Sequence, residues 1–432
     1  MKPLLPSVTV TSDNYRKLAQ RVRRHATISS QQEALVRRII EDVKRRGDPA
    51  VLEYTEKFDG AKLSKRQLRV PQAEIAKALE RADRKVVDAL RFSLQRLEST
   101  QKELLSKLGY SYQRNGFTAR LTRKPLSSVG CYVPGGRAAY PSTVLMTAGL
   151  AKLAGVQRVA VCTPPDSRGV VNDEVLAAAG LCKVDEVYRC GGVQAIAVLA
   201  YGTRMIPKVD KIVGPGGVYV AQAKRSVTKD VAIDFYAGPT EIVVALDENS
   251  DARLAAWDLI AQAEHGEDCL TCLVTVSEPT ASNVRAEINR TVPFVERRKF
   301  VEGSLSKGVA AVCDDWETAC SFINALAPEH LELLTQNPRL MAERVRSAGL
   351  ILLGPDAPAA ASDYCIGTDH VLPTGGFAAN HSGLSVLDFL KLTWTVEGTR
   401  EGLQSVLEPL KALASAEGLP NHYLSVESRF QK

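Results

Sequence analysis

Histidine is scarce in this chain, with six among 432 residues, at positions 25, 265, 330, 370, 381 and 422. No apolar run approaches the roughly eighteen residues that a membrane-spanning helix needs, which excludes a transmembrane helix. The opening stretch (Met1, Lys2, Pro3, Leu4, Leu5, Pro6) has no long apolar core and does not read as a secretory signal. The Arg-rich residues 16–25 faintly resemble a transit peptide, but a short amphipathic arm preceded by Asp13 explains them as well. The net charge of +6 is mild, and Lys and Arg are scattered without aromatic interleaving or a continuous basic helix. Nucleic acid is therefore not an expected partner, whereas an anionic small molecule such as a dinucleotide suits the charge. The cysteines number nine, which is odd, and several sit in apolar strand-like runs (Val161-Cys162, Val312-Cys313), as reduced core cysteines of a cytosolic protein do. Cys269 and Cys272 have the CxxC spacing, but no second pair completes a zinc knuckle, so a buried strand is expected there.

At this length two or more domains are expected. Residues 31–46 read as a helix with Val36, Ile39, Ile40 and Val43 on one face and Gly47 as its stop. A longer helix over 84–108 carries Leu90, Leu94, Leu97, Leu104 and Leu108 on one side. From about 127 the pattern alternates. Strands near 128–133, 157–162, 184–189, 210–213 and 231–235 are separated by helices near 142–154, 172–180, 193–201 and 217–227. Such alternation implies a parallel, doubly wound sheet, whose ligands bind at the carboxyl ends of the strands. Those ends carry Pro134-Gly135-Gly136, Gly191-Gly192 and Gly214-Pro-Gly-Gly217. Glycine lets a phosphate approach the backbone, and the next helix N-terminus favours the anion. The strict G-x-G-x-x-G fingerprint is absent, because Tyr219 takes the place of its last glycine. A dinucleotide site of non-standard form and ordinary strand–helix turns both fit the spacing.

A second α/β series follows. It comprises strand 241–246, a helix over 251–265, strands 269–276 and 309–313, helix 315–326, a strand near 331–334, helix 338–347 and strand 350–354. Asn249 and Ser250 offer the N-cap of the 251–265 helix and Gly266 its stop. The fold expected is α/β, with two tandem Rossmann-like, doubly wound parallel-sheet domains and small helical N-terminal and C-terminal extensions. Residues 355–382, rich in Gly, Pro, Ala and Asp, read as a loop over a site. The C-terminal helix over 399–417 should kink or split at Pro409. On the 251–265 helix, Gln262 and His265 are three apart and share a face, enough for half of a Zn2+ shell. Asp363 and His422 could supply the rest, a mixed nitrogen and oxygen set suited to Zn2+ or a similar ion. The adjacent Glu329 and His330 could both reach one substrate, one as base for an alcohol and one as base for water. As a bare pair they also fit an ordinary surface.

The segment Tyr132-Val-Pro-Gly-Gly-Arg-Ala-Ala-Tyr-Pro-Ser-Thr-Val-Leu-Met resembles the signature of histidinol dehydrogenases. So do Gly191-Gly-Val-Gln-Ala, Lys211-Ile-Val-Gly-Pro-Gly, Ala237-Gly-Pro-Thr-Glu, Gln262-Ala-Glu-His, Pro328-Glu-His-Leu, the Asp363–Thr374 stretch and Glu417-Gly-Leu-Pro-Asn-His. The motifs keep the family's order from Tyr132 to His422. The resemblance implies a cytoplasmic, NAD-dependent enzyme with one Zn2+ per subunit that oxidises L-histidinol through the aldehyde to L-histidine, the last steps of histidine biosynthesis. It implies a homodimer in which each site is completed by the partner's C-terminal tail. It assigns the metal to Gln262, His265, Asp363 and His422, the alcohol proton to His330 and the activation of water to Glu329. Thr240, His370 and Glu417 would contact the substrate with the metal ligands and His330, and Tyr132, Gln194 and Gly217 would face the cofactor. It divides the chain into an N-terminal arm (1–26), a substrate and metal domain (27–131 with 239–384), a dinucleotide domain (132–238) and a C-terminal tail (385–432). The chain departs from the family pattern at Thr240, usually Ser, and at Gly217, usually an Asn that touches NAD. Relatives of this family oxidise other small alcohols, including a sulfonated propanediol, so a paralogue with such a substrate is the alternative; Glu417 and His422 favour histidinol.

Overall fold

The computed structural model describes residues 3–23, 29–135, 139–235 and 238–431. His25 and Arg24, Gly136 and Ala237 of the motifs above lie outside the described residues. The strands run, in chain order, β1 (Ser7–Val10), β2 (Tyr110–Arg114), β3 (Phe117–Pro125), β4 (Ser128–Tyr132), β5 (Arg158–Thr163), β6 (Glu186–Arg189) and β7 (Lys211–Val213). They continue with β8 (Ala232–Ile233), β9 (Glu241–Leu246), β10 (Leu270–Thr275), β11 (Val309–Cys313), β12 (His330–Leu334), β13 (Leu350–Leu353) and β14 (Leu390–Gly398).

The chain divides into two compact units, Met1–Lys102 with Leu126–Phe389, and Glu103–Pro125 with Leu390–Lys432. The first unit holds two all-parallel sheets, in the orders β6-β5-β4-β7-β8 and β1-β11-β10-β9-β12-β13. In both, the first strand of the series (β4 or β9) is central and the winding reverses beside it, which is the doubly wound pattern expected from the sequence. Helices cover both faces, so the strands are apolar on both sides. Ile242, Val244 and Leu246 of β9 enter one core, while Val243 and Ala245 enter another. The early helix spans Ser30–Arg46. Ser29 caps it in a reciprocal box with Gln32, and Val36, Ile39, Ile40 and Val43 are buried as the periodicity requires. β1 is an edge strand added to the second sheet, an element that four short residues did not signal.

The second unit holds the helical C-terminal extension and adds an antiparallel sheet that was not expected. β14 pairs antiparallel with β3, and β3 with β2. Asn115 and Gly116, at φ 47° and 76°, make the tight β2–β3 turn. Both central residues need φ > 0 there, which Asn-Gly supplies. After β14 come helices Arg400–Ser405, Leu407–Ala416 and Pro420–Glu427. The split expected at Pro409 falls at Val406. A proline has no N–H for the carbonyl four residues back, and its ring crowds that carbonyl, so the break lies upstream of the ring.

Candidate active site

A cavity of about 640 Å³ opens in the first unit, and both parallel sheets line it. The first sheet contributes its carboxyl ends. Tyr132 closes β4, and the turn Pro215–Gly217 follows β7. The Tyr132 hydroxyl accepts a hydrogen bond of 3.2 Å from the N–H of Gly192, the first residue of the Gly192–Tyr201 helix. Burial pushes the Tyr132 phenol above its ordinary pKa, so it stays neutral. Gly217 caps the Val218–Ser226 helix without a side chain, at φ −64° and ψ 176°. Tyr132 and Gly217 thus line the cavity. Gln194 does not; it is fully buried in the first turn of the Gly192–Tyr201 helix, and among the described residues neither its amide oxygen nor its nitrogen has a hydrogen-bond partner.

The second sheet contributes its amino ends, a departure from the expectation that ligands sit at carboxyl ends. Thr240 and Glu241 stand at the start of β9, and Glu329 and His330 at the start of β12. The Ala252–Ala263 helix runs back against these strands, so its C-terminus reaches the same edge. Its N-cap is Asp251, whose side chain accepts from the Arg253 N–H at 2.8 Å, rather than Asn249 or Ser250, and the helix ends at Glu264, ahead of Gly266. Gln262, 3% exposed, donates its amide N–H to the Thr240 hydroxyl, which donates in turn to Glu329 Oε2 at 2.5 Å. The Glu241 N–H donates to the same oxygen at 2.7 Å. The direction of this line is set by chemistry: an amide nitrogen only donates, so the hydroxyl must pass its proton towards Glu329, which suits an ionised carboxylate.

His330, 2% exposed, lies with Nδ1 3.1 Å from the Glu241 carbonyl, which can only accept, so Nδ1 carries the hydrogen. Nε2 is therefore the atom that gains or loses the ring's second proton. Among the described residues it is buried without a hydrogen-bond partner, 3.5 Å from Asp363 Oδ1. Burial alone would lower the His330 pKa, but the charge of Glu329 and the Asp363 carboxylate outweigh it and hold it well above the ordinary value. Burial would raise Asp363, yet His330, His370 and His265 hold its carboxyl below the usual range. His370 Nδ1 donates to the Asp363 carbonyl at 2.7 Å, and its Nε2 faces the Thr143 hydroxyl at 3.4 Å; burial pushes its pKa down.

The structure therefore brings Thr240, His265, Glu329, His330, Asp363 and His370 to one cavity, with Gln262 tied to it through Thr240. Glu417 and His422 belong to the second unit, where Glu417 ends the Leu407–Ala416 helix and His422 sits in the Pro420–Glu427 helix, both exposed. Among the described residues no group of three or more His, Cys, Asp or Glu is placed to hold a metal ion. Sequence reasoning missed Glu241, buried between the Gly375 and Glu329 N–H groups at 2.9 and 3.3 Å and pushed by burial up to about 8. It also missed Glu332, buried on β12, whose Oε1 accepts from the Ala359 N–H at 2.5 Å and which burial and Asp258 push up to about 9. The signal was available, since a Glu between Leu331 and Leu333 interrupts a run that is buried on both faces.

The helix termini sort charge across the cavity. The Val218–Ser226 helix presents its N-terminus, the positive end of a macrodipole, to the first wall. The Ala252–Ala263 and Ala359–Tyr364 helices bring their C-terminal turns, with Gln262, His265 and Asp363, to the second. An anion is favoured on one side and a cation on the other.

A family model described as histidinol dehydrogenase matches residues 22–430. A histidinol dehydrogenase of Synechococcus sp. is 43% identical over 410 residues, covering 95% of this chain and 94% of that protein. One from Gluconobacter oxydans is 44% identical over 399 residues, 92% of each. The crystal structure of histidinol dehydrogenase from Elizabethkingia anophelis superposes with a TM-score of 0.92 at 32% identity, covering 99% of this chain and 98% of that one.

Proposed function

The chain belongs to the histidinol dehydrogenase family, and from that premise we propose that it carries out the Zn2+-dependent, NAD-linked four-electron oxidation of L-histidinol through L-histidinal to L-histidine. The observation that carries this reading is the line from Gln262 through Thr240 to Glu329, set beside a His330 whose free Nε2 faces the same cavity.

The donor set fits both groups the reaction needs. Thr240 occupies the Gln262 amide nitrogen, which leaves the amide oxygen free to ligate, and with the His265 imidazole and the Asp363 carboxylate it would supply a mixed donor set suited to Zn2+. We assign the fourth position to His422 of a second copy of the chain, in a homodimer. The second unit supports an interface by exposing Trp394, Val396, Leu413 and Leu424. Bound Zn2+ would anchor the substrate's imidazole and amine, a templating role. On the other wall, Tyr132 and the glycine turn at Gly217 suit NAD+, which would accept hydride in each oxidation; Gln194, assigned to the cofactor by the family resemblance, is buried off the cavity.

The chain's own residues then divide the proton work. His330 Nε2 takes the alcohol proton, while the Glu241 carbonyl holds Nδ1–H and keeps the ring in that tautomer. Glu329 removes a proton from the water that attacks the aldehyde, and Thr240 with the Glu241 N–H aims its carboxylate. His370, with Glu417 of a second copy of the chain, would contact the amino-alcohol end. The test is NADH formation from L-histidinol and from other small alcohols, a sulfonated propanediol included, before and after chelation. The reading requires L-histidinol to give the highest kcat/KM and chelation to abolish it. A higher value with the sulfonated alcohol would assign the chain to a paralogue instead.

A further inference from the structure

A buried ion pair lies behind the glycine turn after β7 and touches nothing in the cavity. Lys224, 1% exposed, pairs with Asp234, whose side chain is fully buried. Each ion also takes one half of a single residue's backbone. Lys224 Nζ donates to the Gly214 carbonyl at 3.0 Å, and Asp234 Oδ2 accepts the Gly214 N–H at 2.8 Å. The remaining Asp234 oxygen accepts from the Phe235 N–H at 2.7 Å, and the ammonium sits 5.9 Å from the Phe235 ring centre. On its other side Gly214 is pressed against β4. Its φ is +118°, and a Cβ there would lie 2.2 Å from the Tyr132 carbonyl oxygen. So Gly214 is held from both sides, and the cavity-lining residues Pro215, Gly216 and Gly217 follow it directly.

Burying two charges is a poor route to stability, because an apolar pair of the same volume avoids the desolvation cost. An apolar pair could not hold an N–H and a C=O at once. That difference is the reason to look for a role beyond packing. We propose that Lys224 and Asp234 are positioning residues for the cofactor: they clamp both peptide groups of Gly214 and so set the turn against which the dinucleotide lies. This rests on the reading of the Gly214–Gly217 turn as the NAD+ site.

The test is the double variant K224M/D234L, which removes both charges together and leaves neither buried alone. Its melting temperature should stay near that of the wild type. Its zinc content and its KM for L-histidinol should be unchanged, while its KM for NAD+ rises about tenfold or more, since displacements of an ångström near a reacting group have effects of that size. A folded double variant with a KM for NAD+ within about twofold of wild type overturns the clamp, and so does an equal rise in both KM values. If K224M/D234L does not fold, K224M/D234N is used instead: it leaves no buried charge and keeps an acceptor for the Gly214 N–H, but it removes the donor to the Gly214 carbonyl. A rise in KM for NAD+ alone then supports the clamp, and no rise overturns it. Failure of the underlying site reading looks different: wild-type protein would bind L-histidinol and zinc yet show no NADH binding by fluorescence.

Discussion

Replacing Gly217 with asparagine tests the cofactor wall directly. The family resemblance places Asn here, and a glycine could be required only if the backbone or the space demanded it. Neither does. Gly217 has φ −64° and ψ 176°, which any residue adopts, and among the described residues nothing lies within 4 Å of a Cβ built on it. The residue is the N-cap of the Val218–Ser226 helix and lacks a side-chain cap bond. An Asn oxygen could accept from the first helical turn, worth a few tenths of a kcal/mol over Gly. Its amide nitrogen remains available to the cofactor. One neutral hydrogen bond is worth about 1 kcal/mol, or about fivefold in affinity. Gly217→Asn should therefore lower the KM for NAD+ about fivefold, leave the KM for L-histidinol nearly unchanged, and hold or slightly raise the melting temperature. Steady-state kinetics with each substrate varied, beside a thermal melt, decides it. An unchanged melt with an equal or higher KM for NAD+ would refute the reasoning.

Four further outcomes are expected. Chelation should abolish activity and Zn2+ restore it, and His265→Ala should lose bound zinc, measured by metal analysis, together with activity; a metal-free His265→Ala with full activity sinks the ligand assignment. Mixing inactive His265→Ala and His422→Ala chains should recover part of the activity, because one site of the hybrid dimer then has every ligand; no recovery despite demonstrated subunit exchange counts against the shared site. Glu329→Gln should slow histidinal oxidation more than histidinol oxidation, since only the second step needs an activated water, and equal losses would remove that role from Glu329. Glu241→Gln should change the pH dependence of stability. The Glu241 pKa is raised by burial to about 8 in the fold, so its stabilising protonated form is fully present at pH below the unfolded value and is lost as pH rises through about 8. Relative to wild type, the variant should gain on the order of a few kcal/mol between pH 5 and pH 8; urea unfolding at the two pH values that gives the same difference would contradict it.

The two parallel sheets were legible because their strands are buried on both faces and read as short apolar runs spaced by helices, as in Ile242 to Leu246. The early helix was legible through Val36, Ile39, Ile40 and Val43. The antiparallel sheet was not, because β2 and β3 are mostly exposed and carry alternating polar residues without a strong apolar run. Its one sharp signal, Asn115-Gly116 between Tyr112 and Phe117, is short and easily passed over. At the site, single residues such as Gln262 and His265 were visible through their spacing on a helix. Their link through Thr240 to Glu329 was not, because it joins residues 22 and 89 positions apart. Spacing carries information only within one element, and this line crosses three. Glu241 was hidden for a related reason: nothing local distinguishes a carboxyl held by the Gly375 and Glu329 N–H groups from an exposed one.

The amino-end placement of the second wall suits the cation proposed for it, as the carboxyl-end placement of the first wall suits the proposed dinucleotide. In a parallel α/β unit the helix after a strand begins near the strand's carboxyl end and finishes near the amino end of the next. Carboxyl edges therefore gather helix N-termini and favour anions, while amino edges gather helix C-termini and favour cations. A site that had both a dinucleotide and a divalent cation on carboxyl edges would set one of them against the local dipoles. Here the first sheet offers its carboxyl edge, with the Val218–Ser226 N-terminus, and the second its amino edge, with the end of the Ala252–Ala263 helix. The same geometry puts Glu329 and His330 at the first turn into β12, where the strand is pinned by pairing on both sides, to Ile242 of β9 and Leu350 of β13. The proposed proton-transfer residues thus stand on a strand paired on both sides. The cofactor turn is a loop, and its rigidity has to come from elsewhere, which is why the grip on Gly214 matters.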